Sequence, residues 1–157
     1  MRLLIDTQIL IWEVVEPGRL SAAAVAAMDL EVSEQEPLGV SAFSLVEIAY
    51  AVEKASNPLT AADRDIILTV LHDLESPFEL VPVDGAVAER VGRVPRVANA
   101  DPGDRIIVAT ADVRELRLIS ADRKIPGMTQ QGGHLVTHRH RSTSAAMPSR
   151  RSVIASS

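Results

Sequence analysis

Short apolar runs alternate with longer amphipathic segments along most of this chain, and that alternation limits the fold more than any other feature. Arg2–Ile5, Leu38–Ser41, Glu79–Val83 and Arg117–Ser120 read as short strands of a buried sheet. Between them, Thr7–Val15 carries Ile9, Leu10, Trp12 and Val15 at helical spacing and stops at Pro17-Gly18. Ser21 suits the cap of a second helix, Ala22–Leu30. Phe43–Ala55 has Leu45, Ile48, Ala49 and Val52 on one face and stops at Asn57-Pro58. A helix opening at Thr60 repeats Ile66, Ile67, Val70, Leu71 and Leu74. A short helix begins at Asp84, Val94–Asn99 reads as a loop, and Asp101-Pro102 opens a helix running to about Glu115. Pro82 lacks a backbone donor, which places its strand at a sheet edge. His134–Thr137 is a candidate fifth strand. The alternation predicts an α/β protein of three layers: a central, mostly parallel sheet of four to five strands with helices on both faces.

Four carboxylates fall where a strand ends or a helix begins. Asp6 follows Leu3-Leu4-Ile5, Glu47 lies in Ser44-Leu45-Val46-Glu47-Ile48-Ala49, Asp104 opens Asp104-Arg105-Ile106-Ile107-Val108, and Asp122 closes Leu118-Ile119-Ser120-Ala121. In an α/β sheet, strand C-termini and the following helix starts share one crevice, where ligands bind. Acids gathered there repel one another unless a cation or shared protons neutralise them. With oxygen ligands alone, the natural cation is Mg²⁺ or Mn²⁺, which points to metal-dependent chemistry on phosphate.

Each candidate also has a structural role open to it. Asp6 suits a helix N-cap or an Asx-turn, and Thr7 either a cap or a hydrogen bond to Asp6 or to a phosphate. Ser44-x-x-Glu47 has the form of a capping box, whereas Ser41 as the cap would free Glu47 to face the cleft. With Pro102 at the first helical position, Asp101 becomes the N-cap and Asp104 the third residue, both favoured by the helix dipole. Arg105 suits a salt bridge to a neighbouring carboxylate or a contact to substrate phosphate. Asp122 suits the cap of a turn toward Ile125-Pro126.

Composition narrows the classes of function. A chain of 157 residues fits one domain with a proper core. No apolar run approaches the ~20 residues that span a bilayer, and Met1-Arg2 leads into a strand without a secretory segment. The absence of cysteine excludes disulfides, thiolate zinc sites and a cysteine nucleophile, and a cytoplasmic location is expected. Two lysines, Lys54 and Lys124, and no glycine-rich loop exclude a P-loop NTPase. His134, His138 and His140 do not converge on other ligands in sequence. Residues 1–137 carry 12 basic and 21 acidic side chains, whereas 138–157 carry four arginines and no acid. That boundary separates a folded body, 1–137, from a basic tail without apolar periodicity, 138–157, read as flexible.

Taken together, the four acid-bearing segments resemble a PIN-domain endoribonuclease of the VapC-like toxin branch. The match rests on Leu3-Leu4-Ile5-Asp6-Thr7-Gln8-Ile9-Leu10-Ile11-Trp12, on Val40–Ala49, on Asp101–Ala111 and on Leu118–Asp122, in the family's order over residues 1–137. Gln8 stands where this branch often has histidine, and Ser120 where threonine is common. The resemblance implies that Asp6, Glu47, Asp104 and Asp122 form a Mg²⁺ or Mn²⁺ site of one or two ions, with Asp101 a further contributor and Thr7, Arg105 and Ser120 in supporting or substrate-contacting positions. It also implies an RNA substrate, a homodimer and a small antitoxin that blocks the cleft. Trp12 is expected in the core or at a partner interface, and a groove formed by Trp12 and the alanine-rich second helix would seat the antitoxin. Two alternatives stand beside this. One is a catalytically silent PIN-like module that binds RNA or a partner. The other is a carboxylate-based, Mg²⁺-dependent phosphatase, although Asp6-Thr7-Gln8 lacks the Asp-x-Asp of the haloacid dehalogenase type.

Overall fold

Strands this short and apolar pair into a parallel sheet whose two faces are covered. In a computed structural model that describes residues 1–54, 56, 58–96 and 101–121, with the backbone of 136–137, they do so. The strands are β1 Leu3–Ile5, β2 Leu38–Ser41, β3 Phe78–Val81, β4 Arg117–Ser120 and β5 Val136–Thr137. They form one sheet in the order β3-β2-β1-β4-β5, and every pair is parallel. The edge position expected for the Pro82 strand is observed. It spans Phe78–Val81, ahead of the proline, and the Val81 carbonyl then accepts from Ala42 N at 2.8 Å.

Among the described residues six helices cover the sheet: α1 Thr7–Val15, α2 Ala22–Ser33, α3 Phe43–Glu53, α4 Ala61–His72, α5 Gly85–Val91 and α6 Pro102–Arg114, with a 3-10 turn at Pro17–Arg19. Alternate residues of β1 divide the core. Leu3 and Ile5 join Leu38, Val40 and Ile119 beneath α1 to α4, while Leu4 and Leu118 pack against α5 and α6. The three layers expected from the sequence are therefore present.

Helix α2 runs a turn beyond the expected Leu30 because Glu31, buried at 1% exposure, accepts a hydrogen bond from Arg2 N and lies 3.4 Å from its guanidinium Nε. A buried acid looks like a helix end in sequence until its partner on another element is seen. Trp12 belongs to the core: it is 9% exposed, and the Arg19 guanidinium lies 4.7 Å from its ring centre. Of the two places expected for Trp12, core or partner interface, the core is the one observed. Helix α3 stops at Glu53, short of the expected Ala55. Among the described residues no helix is long and apolar enough to cross a membrane. Asp122, Lys124, His134 and the basic tail from His138 onward lie outside the described residues.

Candidate active site

The chain leaves β1 toward β2 on one side and returns as β4 on the other, so the sheet changes direction of growth at β1. The crevice above such a switch point, at the carboxyl ends of the strands, is where open parallel sheets bind ligands. Asp6 stands at that point. Its carboxylate caps α1, one oxygen accepting from Ile9 N at 2.7 Å. The other accepts from Ser120 Oγ at 2.5 Å and from Ala121 N at 2.8 Å, across the mouth of β4. At 5% exposure this side chain is fixed in place by three donors. The N-cap role open to Asp6 is observed, and its place in the crevice coexists with it; Ser120 donates to the same carboxylate.

Glu47 reaches the same crevice from α3. The capping box with Ser44 does not form: α3 begins after Ala42, without a side-chain cap, and Glu47 is its fifth residue. Ser41 Oγ accepts weakly from Phe43 N at 3.3 Å and faces Thr110 at 3.3 Å. Thr7 donates its hydroxyl to Glu47 Oε2, and the Ser44 and Thr7 hydroxyl oxygens are 2.8 Å apart. Thr7 thus serves Glu47, rather than Asp6 or a helix cap. Ser44 enters as part of that contact, fully buried; a serine on the apolar face of a helix is the sequence signal that points to it.

Helix α6 contributes two acids in the expected roles. Asp101 caps it, accepting from Gly103 N at 2.9 Å, and Asp104 Oδ2 accepts from Asp101 N at 3.2 Å. Successive helical residues point about 100° apart, so Arg105 faces α5 and not the crevice. It donates to the carbonyls of Val91 at 2.6 Å and Val94 at 3.1 Å. Among the described residues Arg105 has no salt bridge, so the expected ion pair with a carboxylate is not found, and the guanidinium ties α6 to the end of α5 and the turn after it.

The electrostatics join these residues into one cluster. The Glu47 carboxyl is held above its ordinary range, first by burial and then by the negative charges of Asp104, Asp101 and Asp6, against the lowering effect of Thr7. Asp104 acts on it more strongly than Asp101. The donors are all oxygen, which suits a hard divalent cation, and a cation would relieve the repulsion that raises Glu47. Among the described residues no three acidic or imidazole groups close into a complete metal cage. The chemistry and field of the cluster fit such an ion, and Asp122, the fourth acid, lies outside the described residues.

An all-parallel sheet with acids collected over its switch point defines a class of protein, and comparison with known proteins gives that class its name. The family model of the PIN domain matches residues 3–129, and the chain belongs to this family. Among characterised proteins it is similar to Ribonuclease VapC22 of Mycobacterium tuberculosis, 31% identical over 122 residues that make up 78% of this chain and 88% of the relative. The fold is similar to that of VapBC2 from Rickettsia felis bound to a DNA fragment from the promoter, with a TM-score of 0.61 and 14% identity over 88% of this chain and all of that one. It is also similar to FitAcB from Neisseria gonorrhoeae, with a TM-score of 0.57 and 20% identity over 87% of this chain and 96% of the other.

Proposed function

We propose that this chain is an endoribonuclease dependent on Mg²⁺ or Mn²⁺ and the toxin of a toxin–antitoxin pair. The observation that carries the reading is that Asp6 at the switch point of the sheet, Glu47 from α3 and Asp101 and Asp104 from α6 border one crevice, where burial first, and then the charges of Asp104, Asp101 and Asp6, raise the Glu47 pKa. Asp6, Glu47 and Asp104 would hold the ion, with Asp122 as a fourth ligand and Asp101 as an outer contributor. Bound there, such an ion would neutralise charge on a phosphodiester and make water a stronger acid.

The chain's own residues prepare the site. Three donors fix Asp6, so its carboxylate keeps one orientation whether or not substrate is present. Thr7 donates to Glu47 and so favours its ionised form, against burial and neighbouring charge. Asp104 is steadied by its bond from Asp101 N at the start of α6. An acidic body is a poor general surface for RNA, so substrate selection would depend on cleft shape and single-stranded loops. The relative's name, a ribonuclease, supports RNA as substrate. Structural neighbours that are toxin–antitoxin complexes support a small antitoxin partner, and a homodimer in the cytoplasm completes the proposal. The excess of acid over base in residues 1–137 suits a cationic antitoxin segment.

The test is cleavage of RNA by the purified chain in Mg²⁺ and in chelator, beside Glu47→Gln. The proposal expects cleavage in Mg²⁺ alone and a loss of at least ~100-fold in the variant, the scale of one lost group that acts on the reacting centre. Retained folding and RNA binding with no cleavage under any metal would favour the silent binding module.

A further inference from the structure

Gly103 is buried at the second position of α6, against the tip of Glu47. A Cβ placed there would lie 2.3 Å from Glu47 Oε1, 3.2 Å from Glu47 Cδ and 2.9 Å from Phe43 Cε1. The backbone does not call for glycine, because the residue is helical and its φ is not in the left-handed region. Alanine is the better helix former, so local preference runs against the residue found. The space it leaves is filled by a carboxylate of the acidic cluster.

We infer that Gly103 is a positioning residue for Glu47, one that lets the carboxylate lie against the first turn of α6 beside Asp104. This rests on the metal-site reading above. Glu47 is confined from two sides: Thr7 donates to Oε2, and the bare Cα of Gly103 borders Oε1. The closest collision is with the far end of the flexible Glu47 side chain, and the Phe43 ring edge, at 2.9 Å, has only a few tenths of an ångström to give, so a methyl group at residue 103 is tolerated by the fold. It is not tolerated by the site. Glu47 must swing away, losing the Thr7 bond and its place among the acids.

The test is Mn²⁺ titration by calorimetry, with melting in metal-free buffer, of the wild type, Gly103→Ala, Glu47→Ala, their double variant and Asp104→Asn. Gly103→Ala should weaken Mn²⁺ binding roughly 10–100-fold, as loss of support around a ligand does, while melting within about 3 °C of the wild type. In the Glu47→Ala background the same change should cost far less Mn²⁺ affinity, because the Glu47 atoms are gone and only the Phe43 ring is left to give way. If Gly103→Ala binds Mn²⁺ as the wild type does while Asp104→Asn does not, the inference fails and the site stands. If the wild type binds no Mn²⁺, or Asp104→Asn binds it unchanged, the site reading fails and takes the inference with it. Should Gly103→Ala not fold, the double variant decides: folding of the double variant supports the collision with Glu47, and its failure to fold overturns the inference.

Discussion

At the scale of single residues, the acids have structural duties beside the metal binding proposed for them, and each can be tested separately. Asp6 shows why charge removal is not neutral. On repulsion alone, Asp6→Asn would be expected to leave the metal-free fold as stable or more so. The carboxylate, however, accepts from Ile9 N on one oxygen and from Ser120 and Ala121 on the other. An asparagine amide must turn an N–H₂ group toward one of those donors, at a cost of about 1–3 kcal/mol. Metal-free Asp6→Asn should therefore melt below the wild type; an equal or higher melting point would show that relief of repulsion prevails.

Glu47 behaves in the opposite sense. Its folded pKa lies above the ordinary 4.5, so the folded chain holds that proton more tightly than the unfolded chain. The resulting stability is complete below the ordinary value and is lost as pH rises through the raised one. In metal-free buffer Glu47→Gln should match the wild type at acid pH and melt progressively higher than it toward neutrality. Added Mn²⁺ should narrow the difference by favouring the charged wild-type form. Melting curves across pH that run parallel for the two proteins would contradict this.

At the scale of elements, strand and helix positions were legible because period-2 and period-3.6 patterns are local properties of sequence. The misplacements arise where a partner is remote. Helix α2 extends past Leu30 because Glu31 finds Arg2, 29 residues earlier in the chain. The same holds for Arg105, whose partners are carbonyls at the end of α5, and for Thr7, whose partner Glu47 is 40 residues away. The acids at the crevice were legible from strand ends and helix starts, and Thr7 and Ser120 from the family resemblance, whereas Ser44, the pairing of Thr7 with Glu47 and Gly103 were not, since serine, threonine and glycine have many local uses.

The C-terminus of α6 supports a separate prediction. Glu115 adopts the left-handed conformation, φ 55°, and Leu116 N donates back to Ala111 O at 2.9 Å. Glycine avoids the Cβ strain of that conformation, though it gains more freedom in the unfolded chain. Glu115→Gly should stabilise the protein by roughly 0.5–1 kcal/mol without altering metal binding. A lower melting temperature would show that the Glu115 side chain contributes more than its backbone strain costs.

At the scale of the whole molecule, the five parallel strands and two covering layers place one acidic crevice on a rigid sheet. The basic segment 138–157 is proposed to be dispensable for that arrangement. It carries four arginines and no acid, and it lacks the apolar periodicity that would offset the entropy of ordering. A chain ending at Thr137 should melt within a few degrees of the full chain and keep its metal-dependent cleavage at high salt. Weaker cleavage confined to low salt would assign the arginines to RNA binding, and failure to fold would move the boundary.

The central claim is that the acidic crevice binds a divalent cation and that this binding enables RNA hydrolysis. The most direct test is the rate of RNA cleavage as a function of Mn²⁺ concentration, for the wild type and Asp104→Asn. The account predicts no cleavage without metal, a wild-type rate that saturates with Mn²⁺, and an Asp104→Asn curve displaced to higher Mn²⁺ by at least ~10-fold, the smaller end of the cost of disturbing a metal site. Cleavage that persists in chelator, or one Mn²⁺ curve shared by both proteins, would contradict it.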